Sequence, residues 1–275
     1  MCYCFADNVE LLPRGASLNS VNANDMSARI DGIELGVSDD TNAVAGKKKT
    51  FTIDFEFDSL GLELKKGGKA VLQGVTGTIR HGRVTAVMGP SGAGKSTFVT
   101  TLCGKAYYGN MTGTVKINGI AEPFSKYQTI TGFVPQEDVM MRTLTVKENL
   151  QFSAFSRLPV NWTRKQKRDF VNETLDTLDL YDIRHSAIGD EKTRGISGGQ
   201  RKRVNIGMEM VADPTVLFLD EPTSGLDSTS SLEVCACLKK VANQGLTIIT
   251  VIHQPRYEIF TAIDDVLLLG KGIYL

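Results

Sequence analysis

Apolar positions along this chain follow two rhythms. Phe51, Ile53, Phe55 and Phe57 alternate with polar residues, the period of a half-buried strand. Leu60, Leu62 and Leu64 alternate next. Gly67-Gly68 then supplies a hairpin turn, and residues 75–79 and 114–117 add short strands, with a turn signal at Asn118-Gly119. This part predicts a small antiparallel sheet. Val84–Met88, Thr131–Val134, Val216–Leu219 and residues 248–252 are instead continuously apolar, which suits strands of a parallel sheet covered on both faces. A similar short run occupies 266–269.

Helices are predicted between these runs. Thr163 and Gln166 form a capping-box pattern ahead of Val171, Leu175 and Leu178 on one helical face. Thr145 and Glu148 open another helix, through about Ala154. The expected fold is α/β, with an antiparallel β subdomain before the core and a helical insertion at about 137–212. Residues 1–50 lack sustained periodicity and read as a flexible leader, whose Lys47-Lys48-Lys49 is a solvated run. The chain carries no internal repeat.

Composition narrows the class. Of 275 residues, 41% are apolar and 23% charged, which excludes disorder throughout. Lys plus Arg equals Asp plus Glu at 31 each, so the basic excess of a general nucleic-acid binder is missing. No apolar run approaches membrane-spanning length, and the N-terminus lacks a secretory signal pattern. Five cysteines, Cys2, Cys4, Cys103, Cys235 and Cys237, are sparse and odd in number, which fits a reduced, cytosolic compartment. Their two Cys-x-Cys pairs lack the spacing of a zinc site.

Residues 89–96, Gly-Pro-Ser-Gly-Ala-Gly-Lys-Ser, fit G-x-x-x-x-G-K-[ST] between an apolar strand and a predicted helix at 97–104. Gly89, Gly92 and Gly94, with Pro90, Ser91 and Ala93, let backbone N–H groups turn around phosphate oxygens. The helix start at Thr97 adds its dipole. Lys95 reaches the β- and γ-phosphates, and the Ser96 hydroxyl is a Mg²⁺ ligand. The strand Val216–Leu219 ends in Asp220 and Glu221. Asp220 is placed to help hold Mg²⁺, and Glu221 to polarise the attacking water. Ser197, Gly198 and Gly199 open a second helix, with Gln200 inside it, and form another anion site.

With Ser197 lying between the phosphate loop and Asp220, the chain resembles the nucleotide-binding domain of ATP-binding cassette (ABC) transporters over roughly residues 51–275. Other motifs of that family follow in order. The resemblance implies that Gln136, in Phe-Val-Pro-Gln-Glu-Asp, is the Q-loop glutamine contacting Mg²⁺ and water beside the transmembrane coupling surface. It implies that Asp227, in Ser-Gly-Leu-Asp-Ser, lies at a dimer interface, and that His253, in Val-Ile-His-Gln-Pro, contacts the γ-phosphate. The wording around Ser197 and Glu221 is similar to the G subfamily of half-transporters, which export lipids, sterols, waxes and xenobiotics as homo- or heterodimers. ATP hydrolysis in a head-to-tail dimer is implied, with residues 197–200 of each chain facing the partner's ATP.

The family's adenine-stacking position falls at Leu62, so weak base selectivity is expected, and Phe55 and Phe57 read as core. No segment matches the family's membrane domain or last helix. The chain is therefore expected to be a C-terminally truncated nucleotide-binding part, cytosolic alone and carried to the cytoplasmic face of a membrane by the full transporter. A soluble cassette ATPase and a regulatory ATP-binding fragment share these motifs. The former usually carries two cassettes or an inserted coiled coil, neither of which is present here.

Overall fold

Each rhythm builds its own sheet. The computed structural model describes residues 52–121, 124–189 and 195–270, so the leader at 1–50, with Phe51, Cys2, Cys4 and the lysine run, lies outside the described residues. The antiparallel sheet is ordered β2-β1-β4-β5, from β1 (Phe55–Leu64), β2 (Ala70–Ile79), β4 (Gly109–Ile117) and β5 (Ile120–Ala121). Gly67 and Gly68 turn the first hairpin at positive φ, and Asn118 and Gly119 the last.

In β1 the buried positions pass from Phe55 and Phe57 to Leu60 and Leu62, a change of parity. A bulge makes the change. The register slips between Phe57 and Leu60, and Ser59 adopts φ 52°. Opposite lies Gly113 at φ 80°, where a Cβ would meet Ser59 O at 2.3 Å. The extra residue keeps the second half of the strand facing inward.

The second sheet is ordered β6-β7-β8-β3-β9 and is parallel throughout. Its strands are β3 (Val84–Met88), β6 (Thr131–Val134), β7 (Val216–Leu219), β8 (Thr247–Val251) and β9 (Asp265–Leu268). Every residue of β7 and β8 is buried, as a sheet covered on both sides requires. One face packs α1 (Lys95–Leu102) together with the antiparallel sheet: Phe98 and Val99 share a core with Phe55, Phe57, Phe218 and Ile249. Phe57 meets Phe98 edge to face at 5.3 Å, a contact adding about 1 kcal/mol beyond burial. The other face packs α5 (Ser228–Asn243) through Val234, Leu238 and Val241.

The insertion holds α2 (Val146–Arg157), α3 (Arg164–Thr177) and α4 (Gly198–Met210), with the expected capping boxes at Thr145 and Thr163. Val171, Leu175 and Leu178 are buried there. The short α6 (Tyr257–Thr261) precedes β9. Cys103, Cys235 and Cys237 are buried free thiols, and burial pushes Cys103 and Cys235 up to about 11. Among the described residues, no helix is long and apolar enough to cross a membrane.

Candidate functional site

Four neighbouring strands, β6, β7, β8 and β3, run parallel and end on one edge of the sheet, where ligands bind in such folds. Beyond them lie Gln136, Asp220 with Glu221, His253 and the loop at 89–96. The sheet order thus gathers residues scattered over more than half of the chain.

The loop is shaped by its glycines. Gly89 sits at φ 151°, and a Cβ there would lie 2.2 Å from the carbonyl oxygen of Leu269. Gly92 and Gly94 hold φ 78° and 89°, in the left-handed region. Gly94 is the N-cap of α1 and makes no side-chain cap bond, and the first turn carries no acid. Its leading N–H groups are therefore available to an anion. Lys95 is buried and donates to Gly89 O and Pro90 O, both at 3.1 Å, which folds its ammonium back over the loop.

Ser96 Oγ donates to Asp220 Oδ1 at 2.8 Å. Burial raises the Asp220 carboxyl above its ordinary range and neighbouring Glu221 adds to this, while the Ser96 bond and Lys95 oppose it. A hydroxyl and a half-buried carboxylate in contact form a hard-oxygen pair suited to Mg²⁺. Glu221 stands at φ 47° directly after β7, and Gln254, beside His253, at φ 47° after β8. Left-handed backbone at a non-glycine residue costs on the order of 1 kcal/mol and gathers at working sites. Glu221 Oε2 accepts a bond from Gln136 Nε2 at 3.2 Å, and Gln136 Nε2 also reaches Ser224 Oγ at 3.4 Å. His253 is exposed, and its side chain bonds no other described residue.

Ser197 caps α4 through a complete capping box. Its Oγ accepts from Gln200 N at 3.2 Å, and Gln200 Oε1 accepts from Ser197 N at 2.9 Å. That leaves the exposed Ser197 hydroxyl its own proton to donate. Asp227 caps α5 by accepting from Ser230 N at 3.2 Å, and hydrogen bonding from the Ser230 side chain and then its backbone lowers the Asp227 carboxyl. A Cβ on Gly199 would meet Ser230 Cβ at 2.8 Å, so the starts of α4 and α5 pack directly together.

Comparison with known proteins agrees with this geometry. A family model described as ABC transporter matches residues 72–224. "ABC transporter G family member 28" of Arabidopsis thaliana is 48% identical over 82% of this chain, and "ABC transporter G family member 25" of Oryza sativa subsp. japonica 46% over 84%. "Broad substrate specificity ATP-binding cassette transporter ABCG2" of Rattus norvegicus is 44% identical over 76%. The chain spans 20%, 23% and 31% of the lengths of these three relatives.

The chain belongs to the ABC transporter family.

It is an ATP-binding domain of the G-subfamily type, with the α/β cassette fold. Within this ABC domain one sequence expectation is corrected. Leu62 is 1% exposed and packs beneath Gly109, whose added Cβ would meet Leu62 Cγ at 2.7 Å. It is a core residue beside Phe57 and cannot face a base. The loop lies instead against β2, where Val71 O stands 3.3 Å from a Cβ built on Gly94. Two features escaped the sequence reading: the capping role of Gln200, signalled by Ser-x-x-Gln, and α5 with its cap at Asp227.

Proposed function

We propose that this domain powers transmembrane export of lipid-like or xenobiotic substrates, and does so as a head-to-tail dimer in which each ATP lies between two chains. Within one chain, Lys95 and the loop N–H groups neutralise and orient the phosphates. Ser96, Asp220 and Gln136 would hold Mg²⁺, whose chemistry is to neutralise charge on the β- and γ-phosphate oxygens. Glu221 orients and polarises the attacking water, and His253 contacts the γ-phosphate. The partner chain presents its Ser197 hydroxyl and the Gly198 and Gly199 N–H groups to the same phosphate, with Gln200 fixing that turn and Asp227 at the contact between chains. The observation that carries this reading is the pair of separate anion-ready helix starts, α1 open at Gly94 and α4 offering an exposed Ser197.

A groove lined by Phe133, Val139, Phe152 and Met208, beside Lys105 and Arg157, supports docking of a membrane domain next to Gln136. Phe152 and Val139 are exposed there. A homo- or heterodimer of half-transporters on the cytoplasmic face of a membrane fits this arrangement. Nucleic acid does not fit it, because the chain carries no basic excess.

Light scattering tests the dimer. Glu221→Gln keeps size and hydrogen bonding but loses the charge, so with MgATP it accumulates as a dimer. Adding Ser197→Arg returns it to monomer. A Glu221→Gln monomer at high protein and ATP concentration contradicts the two-chain site.

A further inference from the structure

Helix α4 holds the Q-loop segment by its backbone. Lys202, Asn205 and Glu209 lie on one face of α4, at helical spacing. Glu209 Oε2 accepts from Phe133 N at 3.1 Å and is itself forked by Arg157 at 2.7 and 3.0 Å. Asn205 Nδ2 reaches Glu137 O at 3.4 Å. Lys202 Nζ donates to the carbonyl oxygen of Gln136 and stands 2.9 Å from Asp138 Oδ1.

The Lys202 side chain is 6% exposed. A buried ammonium is tolerated only where fixed oxygens replace its water. Here those oxygens are the Gln136 carbonyl and the Asp138 carboxylate. The same Gln136 donates through its side chain to Glu221 and Ser224. Lys202 is also five residues along α4 from the Ser197 cap, about 7.5 Å of axial rise. One side chain thus joins the residue that touches Glu221 to the helix that Ser197 caps.

We propose that Lys202 is a positioning residue that makes Gln136 of one nucleotide site and Ser197, presented to the other site, move together. The inference rests on the two-chain reading above. Helix α4 does not need Lys202 to stay docked, because Val204, Ile206 and Met210 anchor it in the core. Without the ammonium, Asp138 loses its cation and the Gln136 carbonyl loses this donor, so the loop loosens while the helix stays. Gln136 then no longer holds its amide in register with Glu221, and the shift is not passed along α4. A misplacement of this kind lowers turnover without removing the phosphate contacts of Lys95 and the loop.

The test is steady-state ATP hydrolysis by the full chain over a range of protein and ATP concentrations. Lys202→Met, which keeps the stem, lowers kcat about tenfold to a hundredfold while KM stays within about twofold. The Hill coefficient for ATP falls towards one, and Lys202→Arg restores both. On a Gln136→Ala background, Lys202→Met lowers kcat by no more than about twofold, because residues acting as a unit are non-additive. Unchanged kcat and Hill coefficient in Lys202→Met overturn the proposal, as does full additivity with Gln136→Ala or an Arg variant as impaired as the Met variant. If Lys202→Met fails to fold, Asp138→Asn, which keeps the lysine and the α4 packing, lowers kcat and the Hill coefficient in the same direction. Wild-type values in that variant then overturn the proposal. Absence of turnover and of a Glu221→Gln dimer in the otherwise unsubstituted chain overturns the two-chain reading itself, and the proposal with it.

Discussion

Ser96 Oγ donates to Asp220 Oδ1 across 2.8 Å, so the first turn of α1 and the residue that follows β7 share one hydrogen bond. Burial is the largest influence on Asp220 and raises its carboxyl. The ionised form therefore weighs against the folded state, and stability from this group is lost as pH rises from the ordinary carboxylate value through the raised one. Asp220→Asn keeps an acceptor for Ser96 and removes the charge. In metal-free solution at neutral pH its thermal midpoint lies above that of the unsubstituted chain, and the gap closes below about pH 4. The same variant loses Mg²⁺-dependent ATP affinity. Scanning calorimetry across pH checks the first effect, and an equal or lower midpoint at neutral pH contradicts it.

Lys95→Ala removes the charge that bridges the loop and the phosphates. MgATP affinity falls on the order of a hundredfold, about 2.7 kcal/mol. Titration calorimetry measures it, and undiminished affinity would take Lys95 out of the site. The fold survives, because the described hydrogen-bond partners of Lys95 are two loop carbonyls.

Gly89 and Gly92 belong to one loop but answer differently to a methyl group. At Gly89 the new Cβ meets the Leu269 carbonyl at 2.2 Å, whereas at Gly92 nothing lies within 4 Å. Gly89→Ala forces β3 and the end of β9 apart and costs about 3 kcal/mol or more. Gly92→Ala pays only for its left-handed φ, about 1 kcal/mol. Chemical denaturation of both variants should separate them clearly, and equal midpoints would argue against the close approach at Leu269.

Leu62→Ala is a core truncation that costs about 2–5 kcal/mol and leaves the ratio of ATP to GTP affinity unchanged. Competition binding on the folded fraction decides it. An altered ratio would bring Leu62 back to the nucleotide.

Most of the site was legible because its chemistry is written locally. A strand, a glycine loop and a helix start at 84–97 need no distant information, and an apolar strand ending in two acids declares its own polarity. That Gln136, Glu221 and His253 serve one site followed from the family resemblance; the strand order brings their loops to one edge of the sheet, and Gln136 reaches Glu221 there. Leu62 went astray because a family position was weighed above the strand pattern. Its alternation with Leu60 already pointed inward, and the bulge at Ser59 that keeps both facing the core cannot be seen in a hydrophobicity pattern. Helix α5 was overlooked because it opens on Ser228, Thr229, Ser230 and Ser231, which resemble a loop. Its apolar face at Val234, Leu238 and Val241 was the available signal.

Helices α2 to α5 each start on a side chain of their own that accepts a bond from the first turn: Thr145, Thr163, Ser197 and Asp227. Helix α1 starts on Gly94 and has none. Its opening turn is therefore finished by whatever acceptor arrives from outside the chain, and a phosphate group does for it what a threonine does for α2. Amide hydrogens in the first turn of α1 should exchange far more slowly with nucleotide than without it, while those in the first turns of α2 and α3 should hardly change. Helices α2 to α5 bring their own starts, and α1 leaves its start to the cassette's fuel.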